Sequence, residues 1–259
     1  MAVLYVYAIT RDAATPQGEA TCEAIDQSQH FAALPADGVC AVYTPVNEEE
    51  FSQEVIDRRA GDLEWLGAVG YRHQNVIVEL MKSTAVVPLR AFTMFSSETT
   101  LREYLLQNRE ILSKLLARLD GKHEWTLQVE FDPQRWSEAL AGRVESLRAL
   151  TAEIESASSG KAFLLRKKLD DERKRASREA EQQVVADIER EVIEKLSCDT
   201  LAESRLERDG AFPQINVLID RDEESRLQEL HNALNDRYAG DGVTLAMTGP
   251  WPPYTFAHV

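Results

Sequence analysis

Between residues 134 and 198 the chain carries almost no aromatic side chains, and Glu, Lys, Arg and Ala dominate. Apolar or small residues return at Leu165, Leu169, Ala176, Ala180, Val184, Ile188, Val192 and Leu196. Steps of four, with one of seven, put them on one narrow stripe of a helix. The break "ASSGK" (Ala157 to Lys161) separates this stretch from another of similar composition. The pattern predicts a long antiparallel helical hairpin, coiled-coil-like in its thin seam. A hairpin of this kind reads as an excursion from a domain whose core lies elsewhere.

The flanking segments supply strands. "VLYVYAI" (Val3 to Ile9) is β-branched and aromatic throughout, and "VCAVYTPV" (Val39 to Val46) repeats that character up to Pro45. Residues 10–37 between them read as loop with one short helix at most. Asn47 and the acids after it open a helix, and a second follows with an inward stripe of Leu63, Leu66, Val69, His73, Val76 and Leu80. "TAVVPLRAFTMF" gives two extended pieces divided at Pro88. Ser97 caps a single helix with Leu101, Tyr104, Leu105, Leu112, Leu115 and Leu119 inward. "HEWTLQVEF" alternates Trp125, Leu127, Val129 and Phe131 on one face. After the hairpin come a strand over Ile215 to Ile219, a helix with Leu227, Leu230 and Leu234 inward, and a last strand over Val243 to Thr248.

Strand, helix, strand with non-adjacent partners, twice over, predicts an α+β chain of two domains with small, mainly antiparallel, ferredoxin-like sheets. The first is expected over residues 1–118 and the second over 119–259, with the hairpin at about 134–198 and the tail 249–259 docked on the second.

The net charge of -15 repels phosphate backbones and anionic lipid, so neither nucleic acid nor membrane is the expected partner. Cys22, Cys40 and Cys198 are odd in number and far apart, which suits a reducing, cytoplasmic setting. The opening "MAVLYVYAIT" lacks the basic start of a signal peptide, and no run approaches a membrane span of about 20 apolar residues.

Catalytic patterns are missing. No CxxC or HExxH spacing exists, so no metal is expected, and His73 reads as a buried, hydrogen-bonded core residue. Lys122 in "DGKHEW" lacks the glycine spacing of a phosphate loop. "DRDEES" (Asp220 to Ser225) lacks the glycine and final glutamate of a calcium loop and reads as helix-start acids. No serine or cysteine sits in a nucleophile elbow. No catalytic residue and no cofactor is expected.

The end of the chain, "MTGPWPPYTFAHV", could serve as a polyproline ligand, but Trp251, Tyr254 and Phe256 favour docking onto the protein itself. This tail, with "PLRAFTMF", "GKHEWTLQVEF", the charged hairpin and "NVLIDR", resembles the gas vesicle protein F/L family from end to end. The subtype, F-like or L-like, stays open. The resemblance implies a non-enzymatic accessory protein of gas vesicle assembly, in the cytoplasm and at the vesicle. It would bind the small hydrophobic shell subunit (gas vesicle protein A) and other accessory proteins. The first domain would make the shell contact; Pro88, Leu89, Arg90, Phe92 and Phe95 are the residues expected near it, the alternative being a plain edge strand at Pro88 with Arg90 in an internal salt bridge. Gly249, Pro250, Trp251, Pro252, Pro253, Tyr254 and Phe256 would finish and brace the second domain. The family often reads Arg-Phe-Gly-Thr after Pro-Leu, where this chain has Arg90-Ala91-Phe92-Thr93. A monomer is expected, because the hairpin seam is narrow and alanine-rich. The rival readings are a small ferredoxin-like oxygenase or isomerase around His73 and Arg90, and a coiled-coil dimerising scaffold.

Overall fold

β1 (Ala2–Thr10) has Tyr5, Val6, Tyr7, Ala8 and Ile9 fully buried, as an unbroken apolar run demands of a central strand. The computed structural model describes residues 2–16, 22–196, 198–203 and 212–258, so part of the expected 10–37 loop and Val259 of the tail lie outside the described residues. The chain divides into two units, Met1–Glu124 with Pro250–Val259, and Trp125–Gly249.

In the first unit β1 is joined by β2 (Ala32–Ala36) and β3 (Val39–Asn47). Asp37 and Gly38, at φ 48° and 85°, make the two-residue turn that pairs Ala36 with Val39. Positive φ at both positions is the type I′ signature, and Asp-Gly supplies it. Three helices follow: α1 (Glu48–Phe51), α2 (Gln53–Arg59) and α3 (Leu63–Met81). Asn47, Ser52 and Asp62 cap them in turn through their side chains. β4 (Val86–Pro88) and β5 (Met94–Phe95) both pair with β1, and the sheet order is β2-β3-β1-β4 with antiparallel pairing throughout. Tyr7 has no partner on β3, because Val6 pairs with Tyr43 and Ala8 with Val42. That bulge turns the strand where its aromatic side chains stand. α4 (Glu98–Gln107) and α5 (Arg109–Leu119) complete the unit and bury Leu101, Leu105, Leu112, Leu116 and Leu119.

β6 (Lys122–Phe131) carries the chain into the second unit, where α6 (Pro133–Arg143), α7 (Glu145–Ser156) and α8 (Ser159–Leu196) precede β7 (Asp199–Glu203). β8 (Gln214–Asp220), α9 (Glu224–Tyr238) and β9 (Val243–Trp251) follow. The sheet order is β7-β8-β6-β9. At 38 residues α8 is about 57 Å long at 1.5 Å per residue. Leu147 and Leu150 of α7 share a core with Leu169 and Ala176 of α8. The far half of α8 runs on to pack Val185, Ile188, Val192 and Leu196 into the same core as the sheet. Glu191 accepts hydrogen bonds from Arg237 in the last turn of α9 and forms an ion pair with Lys195. Those contacts hold its carboxyl down at about 2.

Several expectations are corrected. The single helix begun by Ser97 is broken at Asn108 between α4 and α5, and the first hairpin arm is broken at Val144. β2 and β7 are strands that no β-branched run announced, and Pro35 is tolerated in β2 because that strand lies at the sheet edge. Leu63 is 81% exposed and not part of the core. Each step of three residues from Val69 back through Leu66 slips about 60° around the helix, and at Leu63 the stripe has left the buried side. Pro250 to Val259 group with the first unit and not with the second.

Gly242 tests the second unit. It sits at φ 76°, its carbonyl accepts from Asp132 N–H at 2.8 Å, and a Cβ there would come within 2.5 Å of Arg135 Cβ. Gly242→Ala should destabilise by about 2–3 kcal/mol, from positive φ and the clash together. Urea unfolding followed by circular dichroism checks it; an unchanged midpoint contradicts the close approach.

Candidate interaction surface

The segment expected to contact a partner folds as a tight turn between β4 and β5. Thr93 N–H donates to Arg90 O at 3.1 Å and its hydroxyl donates to the same oxygen at 2.7 Å. Phe92 holds the third position of that turn at φ 66°. Positive φ at this position alone is the demand of a type II turn, which glycine meets without strain. The side chain that bears the strain is fastened on two sides: its ring packs on Trp65 at 5.4 Å and edge-on to Tyr5 at 6.3 Å.

Beneath the turn lies a chain of hydrogen bonds. Phe92 N–H donates to Tyr5 Oη at 3.1 Å. That leaves the Tyr5 proton for His73 Nδ1, also 3.1 Å away, and His73 Nε2–H for Leu89 O at 2.9 Å. Only the neutral imidazole protonated on Nε2 satisfies both contacts. Leu89 N–H in turn donates to Tyr7 O at 2.9 Å. His73 is 2% exposed, and burial holds its pKa below the ordinary imidazole value against the opposing pull of Leu89 O. Burial likewise raises Tyr5, and pushes Tyr7 up to about 12.

The five expected contact residues therefore differ in what they can offer. Pro88 is buried in β4; Leu89, Phe92 and Phe95 are half-buried, Phe95 against Tyr104 at 5.3 Å. Arg90 is exposed and forms no ion pair among the described residues. The tail is docked as its aromatics require. Pro252, Pro253 and Phe256 are buried, Tyr254 packs on the core of Tyr5 and Tyr7, and Trp251 stays exposed. Thr255 donates its N–H to Glu124 Oε2 at 2.9 Å and its hydroxyl to Glu124 Oε1 at 2.6 Å. Gly249 allows the entry into this segment at φ 141°. Pattern reasoning did not find Glu124, because an acid buried in a strand signals its role only through a distant partner.

The exposed apolar side chains were also missed. Tyr71 on α3 is 70% exposed, and Phe163 and Leu164 at the hairpin tip are 69% and 68% exposed. An opening of about 430 Å³ in the first unit is lined by Cys22, Glu23, His30 and Phe31. Burial pushes the Cys22 thiol up to about 11. Among the described residues no cluster of His, Cys, Asp and Glu could hold a metal ion, and no helix is long and apolar enough to cross a membrane.

The protein is α+β in two units, acidic overall, with Tyr71, Phe163 and Leu164 exposed. The family described as gas vesicle synthesis protein GvpL/GvpF matches residues 3–258, and the chain belongs to it. Its role lies in gas vesicle formation. Gas vesicle protein L2 of Halobacterium salinarum is 33% identical over 195 residues, covering 71% of this chain and 69% of that protein. Gas vesicle protein L of Streptomyces sp. is 28% identical and covers 98% of this chain and 92% of that one. The crystal structure of gas vesicle protein GvpF from Microcystis aeruginosa superposes with a TM-score of 0.67 at 17% identity, covering 99% of both chains. That of GvpF from Anabaena sp. PCC7120 gives 0.68 at 16%, covering 100% of this chain and 97% of that one. The fold is that of GvpF.

The turn and the hydrogen bonds beneath it yield three predictions. Phe92→Gly should be more stable than Phe92→Ala by about 1 kcal/mol, the reverse of their usual order, because only glycine relieves the positive φ. Thermal melts of the pair decide it. Tyr5→Phe leaves Phe92 N–H and His73 Nδ1 without their partner and should cost about 1–3 kcal/mol. Because His73 titrates lower when folded, the unfolded chain takes up its proton first. Stability is then full above about pH 6.5 and declines as pH falls below it. Urea midpoints between pH 7.5 and 5.5 should drop accordingly, and His73→Gln should flatten the drop.

Proposed function

We propose that this protein is a non-enzymatic accessory factor that binds the small hydrophobic shell subunit, gas vesicle protein A, during nucleation and growth of the vesicle. It acts in the cytoplasm as a single copy and meets other accessory proteins there. The observation that carries the reading is the combination of membership in the gas vesicle synthesis family with large apolar side chains held out of an acidic chain. A shell-forming subunit presents strand and helix faces meant for its neighbours, and those faces aggregate in water. A partner with apolar surface covers them, while its net charge of -15 keeps the complex dispersed.

The first unit supplies the contact, with Arg90 and the half-buried Leu89, Phe92 and Phe95 around the turn and Pro88 bracing it from below. The strand order β7-β8-β6-β9, with helices between first and second and between third and fourth strands, supports the ferredoxin-like reading of the second unit. The α7–α8 hairpin there is an arm for a further accessory protein.

A photo-crosslinking amino acid at Arg90 of the full-length protein, co-expressed with gas vesicle protein A, should capture that subunit. The same group at Asp171 on the hairpin should not. Capture from Asp171 alone would remove the first unit from the shell contact.

A further inference from the structure

The second unit holds an apolar crevice of about 280 Å³ where α6 ends and α7 begins, against the middle of α8. Its floor is Trp136 and Leu140 of α6 and Leu147 of α7, all buried, with the Phe131 ring 5.0 Å from that of Trp136. Val144, at φ -88° and ψ 113°, takes the first arm out of helix between them, while α8 runs past unbroken. The two helices of that arm therefore do not form one continuous ridge along α8, and the crevice lies at the interruption. Trp136 Nε1–H donates to Ser177 Oγ at 3.1 Å, and the Ser177 hydroxyl donates to Glu181 Oε1 at 2.6 Å. The indole N–H is thus satisfied within the protein, and the floor asks an occupant for apolar contact.

The charged groups around the crevice are divided. Arg173 and Lys174, both exposed, line it at one end of its α8 wall. Glu181 lines the other, seven or eight residues further along the helix and so about 10–12 Å away. Arg173 has Asp170 only at 3.9 Å, and Lys174 has no ion pair among the described residues. Arg175 beside them is already held by Glu172 and Glu179. From Arg166 to Arg178, α8 carries seven Lys or Arg against three acids, in a chain whose net charge is -15. Unspent cations beside an apolar hollow complement an anion that arrives attached to an apolar group.

We propose that this crevice receives one large apolar side chain of a partner protein, from a short segment in which acidic residues flank that side chain and one of them meets Arg173 and Lys174. The inference rests on the reading of the hairpin as an arm for a further accessory protein, and it gives that partner its chemistry. Size sets the occupant. At about 280 Å³ the crevice falls short of the roughly 300–1,000 Å³ of small-molecule pockets and suits a single side chain, the usual anchor of a protein contact. Charge sets its neighbours, because a basic segment would be repelled by Arg173 and Lys174.

The test follows the Trp136 indole N–H signal of the full-length protein by NMR, assigned with Trp136→Phe. The probe is the acetylated, amidated peptide Asp-Glu-Phe-Glu-Asp, which should shift that signal saturably. Asp-Glu-Gly-Glu-Asp and Lys-Lys-Phe-Lys-Lys should leave it in place. The double variant Arg173→Glu/Lys174→Glu should bind the peptide about tenfold more weakly, and added salt should weaken the parent in the same direction. Ser137→Trp, at an exposed rim position, should fill the opening and abolish the shift with the melting temperature unchanged. Glu181→Gln, which keeps an acceptor for Ser177, should bind at least as well as the parent. No saturable shift, an equal shift with the glycine or lysine peptide, or full binding by the double variant overturns the inference. A response to octanoate alone gives the crevice to a fatty acid, and a shift with protein concentration alone gives it to a second copy; either result overturns it too. None of these outcomes touches the crosslink at Arg90, so the proposed shell contact stands or falls separately.

Discussion

Tyr5 and Tyr7 are buried on the central strand of the first unit, and their hydroxyl groups must find partners away from water. Much of what surrounds β1 is arranged to supply them. Tyr7 Oη accepts from Ile25 N–H and donates to Thr44, which ties the segment after residue 22 to the sheet. Tyr5 Oη accepts from Phe92 and donates to His73, which ties the β4–β5 turn to α3. Tyr254 joins the same aromatic core, so the end of the chain is drawn in too. Two polar atoms in an apolar strand thereby hold Ile25, His73 and Phe92, which are distant from it in sequence.

Phe92 shows how such a constraint is tolerated. Its turn asks for glycine, which meets a positive φ without strain. This chain keeps the backbone at φ 66° and anchors a phenyl ring between Tyr5 and Trp65. Strain of this size persists only where the surroundings over-determine the conformation. Arg90, exposed, opens that turn as its first residue.

The two units repeat one plan. In each, the strands lie in the order second, third, first, fourth. What differs is the link between the first and second strands: residues 11–31 in one unit, and α6, α7 and α8 in the other. In the second unit α7 and α8 make that connection a long charged arm. That is how one small sheet plan comes to carry two different surfaces.

Much of this was legible in the residues. β1, β3, β6, β8 and β9 are written in β-branched and aromatic runs, and α8 in its four-residue steps, because those periods are set by backbone geometry alone. The family was legible in "PLRAFTMF" and "TGPWPPYTF", and the burial of His73 in its place on an apolar stripe. The Asp37-Gly38 turn did not stand out, because "AALPA" before it has little strand character. By itself the sequence determined most of the helices and strands, the α+β class, and the family, but not β2, β7 or the breaks at Asn108 and Val144. The tertiary structure alone decided that the tail belongs with the first unit, that Glu124 receives Thr255, and that Leu63 and Tyr71 face water. Local pattern states that a side chain needs burial or a partner; which distant surface provides it depends on chain closure over more than a hundred residues.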